Sequence, residues 1–271
     1  MPDSQVKHLI TWKDWDPAEI RKILMLATRV KRNRHYYQGT LSGRTLVMLF
    51  QKTSTRTRVS FEAAMTEMGG HGIYMDWNTT NFKLSKIKYE TAYLSRNVAI
   101  IMARMKRHED QLELKQGASV PLINGCDNLY HPCQAMADML TIHEDRGELT
   151  GARLCYIGVH NNVANSLMAV CAAFDVELTL VTPIAPEDTI DQELRDRLRE
   201  KGLLVETLDV QAAVETAEYV YTDTWVDMEF FDDPQFADLK QERIDTMMPY
   251  QLNAKLLKNS SAKVLHDMPI H

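Results

Sequence analysis

No CxxC spacing and no paired-histidine pattern surrounds any of the four cysteines, Cys126, Cys133, Cys155 and Cys171. A disulfide framework and a zinc site are therefore excluded, and the cysteines read as reduced, mostly buried thiols. No apolar run is long enough to span a bilayer. The first residues, MPDSQVKHLITWKDWD, resemble neither a signal peptide nor an anchor, so a cytoplasmic protein without a membrane partner is expected. Positive charge is in deficit: 31 Lys and Arg stand against 37 Asp and Glu, a net charge of −6. That balance argues against nucleic acid as a partner. Internal repeats, low-complexity tracts and Gly/Ser linkers are absent as well. What remains, 45% hydrophobic and 25% charged residues over 271 positions, is a globular composition with room for one large or two ordinary domains.

The apolar pattern alternates between helix and strand periods. Asp16-Pro17 offers a cap followed by proline at a first helical position, and Ile20, Ile23, Leu24, Ala27 and Val30 share one face, so a helix is expected over 17–32. The short continuous apolar run at 45–50 reads as a buried parallel strand, and 72–76, 98–103 and 120–124 read as further strands of a parallel sheet, with helices over 55–68 and 89–97. A helix opens after His131, with Pro132 first and Gly147 just past its end. The alternation then resumes, with strands at 152–157, 176–182, 203–207, 219–222 and 263–266 and helices at 162–174, 188–201 and 247–258. The expected fold is α/β: two α/β domains, 1–146 and 147–271, each with a mainly parallel sheet flanked by helices. In such a fold the ligand cleft is expected between the domains, at the carboxyl ends of the strands.

One run stands out. Ser54-Thr55-Arg56-Thr57-Arg58 lies where the strand 45–50 turns into a helix. Free backbone N–H groups and the helix dipole favour an anion there, and two arginines in a first helical turn oppose the dipole unless an anion is bound. Arg56 supplies a forked donor that matches a phosphate edge. Arg58, two residues on, points elsewhere and is expected to tie the loop to a neighbouring carboxylate. The plainer reading is an ordinary capped helix, with Ser54 as cap and both arginines solvated.

Arg104 stands just past the strand 98–103, and His131 and Gln134 stand at the opening of the next helix, in YHPCQAMAD. Alone, a histidine there is most simply structural. Taken together, FQKTSTRTR, MARM, HPCQ, NNVANSLM and TDTW resemble the aspartate/ornithine carbamoyltransferase family, closest to its ornithine branch, from about residue 8 to the end. The resemblance implies that Ser54, Thr55, Arg56 and Thr57 hold the phosphate of carbamoyl phosphate. It further implies that Arg104, His131 and Thr57 point donors at the carbonyl oxygen, where charge grows as an amine attacks, and that Gln134 receives the carbamoyl NH2. No cofactor and no metal is implied. A homotrimer is, with active sites between subunits.

For the second substrate the matching positions are Asn162, in GVHNNVANS, and Asp223, in YTDTWVDME. The family's Ser-Met-Gly after Trp-Val is replaced by Asp227-Met228-Glu229, and its His-Cys-Leu-Pro motif reads His266-Asp267-Met268-Pro269. Both changes add a carboxylate, which requires a cationic partner or a raised pKa if buried. An acceptor site of Asn162, Asp223, Asp227, Met228, Asp267 and Met268 is expected, for ornithine, an ornithine-like amino acid or a diamine. Solvent-facing drift is the plainer account of Asp227. The loop DWNTTNFKLSKIKYE corresponds to one that reaches a neighbouring subunit's active site in relatives. Lys83 and Lys86 are its candidates, and Trp77 and Phe82 are alternative acceptor-pocket residues. Relatives continue past the His-x-x-Pro motif with a loop and a long helix that supplies an arginine; this sequence stops at His271, so either that tail lies outside it or the arginine is missing. Two rival readings are a non-catalytic relative kept as a subunit and a Rossmann-type oxidoreductase. The latter suffers because Gly158 stands alone in IGVHNNVANS, where a dinucleotide fingerprint needs several glycines.

Overall fold

The computed structural model describes residues 6–226 and 234–269. The chain forms two compact units, one ending at Cys133 and the other running from Gln134, with residues 16–18 grouped with the second.

The first unit is built on a four-stranded sheet in the order β2 (His71–Asp76), β1 (Thr45–Phe50), β3 (Ile100–Arg104), β4 (Leu122–Cys126). All three pairings are parallel. The inner strand β1 is buried almost throughout, which is why it reads as an unbroken apolar run rather than an alternating one. Its side chains feed two cores. Leu46, Met48 and Phe50 meet Met65 and Met102, while Leu49 meets Ile101, Met105, Leu114 and Phe82. Burying a side chain of this size contributes about 1.5–3 kcal/mol. Helix α1 (Pro17–Arg32) precedes β1, and α2 (Thr55–Glu67), α3 (Ile87–Leu94) and α4 (His108–Gly117) join the successive strands. The sequence pattern did not reveal α4, whose residues HEDQLELKQG are mostly polar. Of its two leucines, Leu114 is completely buried and Leu112 is exposed. Trp77 and Phe82 stack 5.1 Å apart, with Phe82 part of this core and Trp77 packed against it.

The second unit carries most of α5 (Pro132–Arg146) and a five-stranded parallel sheet. Its order is β7 (Leu204–Glu206), β6 (Glu177–Ile184), β5 (Arg153–Val159), β8 (Tyr219–Thr222), β9 (Lys263–His266). Helix α6 (Asn162–Phe174) is apolar on every side, and every residue from Val163 to Phe174 is buried. Helices α7 (Gln192–Glu200), α8 (Val210–Thr216) and α9 (Ala237–Met247) complete the described elements. The helix expected over 247–258 is not formed. Helix α9 ends at Met247, and the Asn253 side chain accepts hydrogen bonds from Lys255 N and Leu256 N at 3.0 Å each. A short polar side chain that satisfies the backbone locally competes with a helical ladder, and turns result.

Both sheets share one topological property. The first strand of each lies inside its sheet, the next strand or strands go to one side of it, and the later ones go to the other. The direction reverses between β1 and β3 and again between β5 and β8. Crevices at the carboxyl ends of the strands open at such points.

Candidate active site

In the first unit the reversal point is bridged by side chains. Ser54 caps α2, its Oγ accepting from Thr57 N at 3.2 Å. The first turn of α2 holds no acidic residue, while Thr55 and Arg56 are exposed on it. Thr57 is buried, and its Oγ1 accepts a hydrogen bond from Arg104 Nη1 at 3.3 Å. Arg104 is the last residue of β3, with Phe50 and Cys126 as its neighbours across the sheet. Its Nε is buried and makes no hydrogen bond among the described residues. A buried guanidinium N–H without a partner costs free energy that an incoming acceptor would recover. Arg58 turns away, as its spacing requires. Its carboxylate is Glu62, one turn further along α2 at 3.2 Å, rather than one from another segment, and its guanidinium lies 3.9 Å from the Tyr74 ring centre.

His131 follows β4 through a tightly tied turn. Asp127 Oδ1 accepts from Leu129 N at 2.8 Å and Tyr130 N at 2.7 Å. Its Oδ2 accepts from Asn124 Nδ2 at 2.9 Å and lies 2.7 Å from His108 Nδ1. Trp12 Nε1 donates to Pro132 O at 2.7 Å from the other side. Loss of solvent around the His131 ring, then the positive charges of Arg104 and Lys52, push its pKa down to about 3. His131 is therefore a neutral imidazole at any working pH, able to donate one hydrogen bond without carrying charge. Lys52 escaped the sequence reading although it stands inside FQKTSTRTR. Its position before Ser54 offered a signal, but only the fold brings it near His131.

Gln134 lies in the first turn of α5, and its Nε2 donates to Asp138 Oδ1 at 2.9 Å. Asp138 is buried, and burial raises its pKa to about 8. The Gln134 hydrogen bond and Tyr221 offset part of that rise, while the charges of Asp267 and Asp223 add to it. Tyr221 is fully buried, and neither its hydroxyl nor Asp138 Oδ2 makes a hydrogen bond of ordinary geometry among the described residues. Sequence reasoning named neither Asp138 nor Tyr221. The spacing of Gln134 and Asp138, one helical turn, was the available signal for the first.

The reversal point of the second sheet is bridged in turn. Asn161 caps α6, its Oδ1 accepting from Val163 N, Ala164 N and Tyr156 Oη at 2.9, 3.2 and 3.2 Å. With its oxygen so occupied, its Nδ2 donates to Asp223 Oδ2 at 2.8 Å, and Thr224 N donates to Asp223 Oδ1 at 2.7 Å. The first asparagine of the pair thus holds Asp223, while the expected Asn162 begins the helix, its carbonyl accepting from Ser166 Oγ at 2.7 Å. A cavity of about 520 Å³ is lined by Asp223, Trp225, Lys240, Ile244, Met248 and His266, among others. Met268 N donates to His266 Nδ1 at 2.6 Å, and Met268 is exposed. Asp267 is half-buried, close enough to Asp138 and Tyr221 for its charge to act on both. Asp227 and Met228 lie outside the described residues. Lys83 and Lys86 are exposed, and neither forms an ion pair among the described residues.

Residues 7–144 match the family described as "Aspartate/ornithine carbamoyltransferase, carbamoyl-P binding domain", and residues 150–271 match its "Asp/Orn binding domain". The chain belongs to the aspartate/ornithine carbamoyltransferase family. Among its relatives is an ornithine carbamoyltransferase of Halalkalibacterium halodurans, 38% identical over 98% of this chain and 84% of its own length. One from Archaeoglobus fulgidus is 36% identical over 98% and 86%. The solved structure of the Pyrococcus furiosus ornithine carbamoyltransferase superposes with a TM-score of 0.89 at 34% identity, covering 98% of this chain and 85% of that one. Within the carbamoyltransferase family frame, the Thr57–Arg104 bridge falls in the segment matched to the carbamoyl-phosphate domain and the Asn161–Asp223 bridge in the segment matched to the amino-acid domain.

Proposed function

We propose that this protein transfers the carbamoyl group of carbamoyl phosphate to the amine of ornithine or an ornithine-like amino acid or diamine, releasing phosphate. The observation that carries the proposal is the amino end of α2. Arginine-rich, free of acids and capped by Ser54, it stands one hydrogen bond away from Arg104 and its unpartnered buried Nε. Ser54, Thr55, Arg56 and Thr57 would hold the phosphate oxygens. Arg104, Thr57 and neutral His131 would donate to the carbonyl oxygen. Gln134 Oε1 would accept from the carbamoyl NH2.

In this reaction the neutral amine nitrogen bonds to the carbonyl carbon, and the carbonyl oxygen takes up negative charge. That charge faces donors already in place, which is where such sites gain most of their rate. The bond from carbon to the phosphate oxygen then breaks, and the departing phosphate accepts the proton lost by the amine. His131 is held neutral, so the positive charge that stabilises the oxyanion comes from Arg104, with Lys52 beside it. In the second unit Asp223, fixed by Asn161 and Thr224 N, would receive the α-amino group of the acceptor, with Asn162, Asp227, Met228, Asp267 and Met268 as further acceptor contacts. The exposed apolar side chains Val59, Ile73, Tyr74 and Leu84 of the first unit support association of copies as a homotrimer, with Lys83 and Lys86 offered to a neighbour. Light scattering of the purified protein tests that assembly.

Phosphate release from carbamoyl phosphate, measured across a panel of amines, tests the reaction. Saturable release with one acceptor class is expected, and Arg56→Ala should abolish it. Equal, unsaturable rates on every amine, or full activity in Arg56→Ala, would overturn the reading.

A further inference from the structure

We infer that Asp138 is a positioning residue that fixes which end of the Gln134 amide faces the substrate, and so sets selectivity for a carbamoyl over an acyl phosphate. The inference rests on the proposed carbamoyl-transfer reading and deepens it. A glutamine amide is nearly symmetric in shape and presents either two donors or an acceptor, depending on how it is turned. A carbamoyl NH2 is recognised only if the oxygen faces it. Turned by half a revolution, the same side chain would present its own NH2 and repel the substrate's.

Nothing in Gln134 itself decides between these orientations; its neighbour does. Asp138 sits one turn along α5, nearly inaccessible to solvent, with Oδ1 2.9 Å from Gln134 Nε2. A carboxylate offers only acceptors, so it holds the amide NH2 and leaves Oε1 on the opposite edge of the amide. The arrangement also survives protonation. Oδ2 makes no hydrogen bond of ordinary geometry among the described residues and has the Tyr221 hydroxyl acting on the same carboxyl, so a proton placed there leaves Oδ1 an acceptor toward Gln134. Burial raises the Asp138 pKa to about 8, so the protonated form is well populated at neutral pH, and this second property matters. An asparagine at position 138 would lack this one-sidedness, because its own amide could turn to donate to Gln134 Oε1. The price of the device is a buried carboxyl, whose desolvation is offset by the Gln134 amide and in part by the Tyr221 hydroxyl.

Acetyl phosphate is the discriminating probe. It carries a methyl group where carbamoyl phosphate carries NH2, and transfer proceeds by the same bond changes at the carbonyl carbon. In the native protein, carbamoyl phosphate should be preferred over acetyl phosphate in kcat/KM. In Asp138→Asn that preference should fall about tenfold, the loss coming from carbamoyl phosphate, while acetyl phosphate transfer and the affinity for inorganic phosphate stay within about twofold. Adding Asp138→Asn to a Gln134→Met background should leave selectivity unchanged, since no amide remains to orient. A parallel loss on both substrates, or unchanged selectivity in a folded Asp138→Asn, overturns the inference while leaving carbamoyl transfer intact. Absence of carbamoyl transfer in the native protein overturns the underlying reading instead. Should Asp138→Asn not fold, Asp138→Ser, whose hydroxyl also donates or accepts, carries the same comparison. Failure of both to fold assigns Asp138 to the core and overturns the inference.

Discussion

His131 and Asn161 show how much a single side chain's surroundings decide. His131 is the residue a chemist would pick as a general acid, yet desolvation, Arg104 and Lys52 hold its pKa at about 3. Its imidazole should therefore show no titration between pH 5 and 8 when followed by NMR. The acid limb of the rate profile should then track the amine acceptor, rising as the amine loses its proton. Replacing Arg104 by Met, which keeps the bulk but removes the donors, should lower kcat/KM by about 10²–10³ with the fold intact by circular dichroism. Asn161 acts through Asp223. Asn161→Ala should raise KM for the acceptor several-fold and leave KM for carbamoyl phosphate unchanged in steady-state kinetics, because it frees one oxygen of Asp223 without touching α2. Arg56, Thr57, Arg104, His131, Gln134 and Asp223 could all be picked from the sequence, because motif residues keep their spacing. Asn161 could not be picked, because Asn161 and Asp223 are 62 positions apart and meet only after adjacent strands have paired.

At the scale of elements, caps and close approaches carry the specificity. Ser54→Ala removes the side-chain acceptor of the α2 cap and should cost roughly 0.5–2 kcal/mol, read from a denaturant midpoint. Gly117, at the end of α4, has a different constraint. A Cβ there would sit 2.1 Å from Lys88 O in the backbone of α3, so neither partner can yield cheaply. Gly117→Ala should cost about 1–3 kcal/mol or more in the same measurement. The inner strands β1, β3 and β5 and the apolar helix α6 were readable because burial on both faces leaves an uninterrupted apolar run, whereas the edge strands β2 and β7 are largely exposed. Helices α4 and α8 were not, being short or polar and held by their neighbours rather than by their own pattern. The helix expected over 247–258 failed for the converse reason: Leu252, Leu256 and Leu257 do have helical spacing and do pack on the second unit's core, but from turns organised by Asn253.

For the molecule as a whole, two buried titratable groups pull stability in opposite directions. The folded pKa of His131 lies below its ordinary 6.5, so the unfolded chain takes up the proton first and stability is lost as pH falls from about 6.5 toward 3. The folded pKa of Asp138 lies above its ordinary 3.8, so the unfolded chain releases the proton first and stability is lost as pH rises from about 4 to about 8. The groups facing Asp138 are Gln134, Tyr221, Asp223 and Asp267, with the Cys171 thiol nearby. Between about 6.5 and 8 only the Asp138 effect remains. The denaturation midpoint should therefore fall across that interval in the native protein and stay flatter in Asp138→Asn.

The sequence alone determined the two parallel α/β units, the family and the arginine-rich turn at the start of α2. Each of these is written in local spacing: apolar period, a capped arginine-rich turn, and motif strings that need no partner to be read. Only the tertiary structure decided that His131 is neutral, that Asp138 is protonated well into the neutral range, and that the Asn161 amide reaches Asp223. Those properties depend on solvent exclusion and on distances between segments remote in the chain, and neither quantity exists until the sheets have formed.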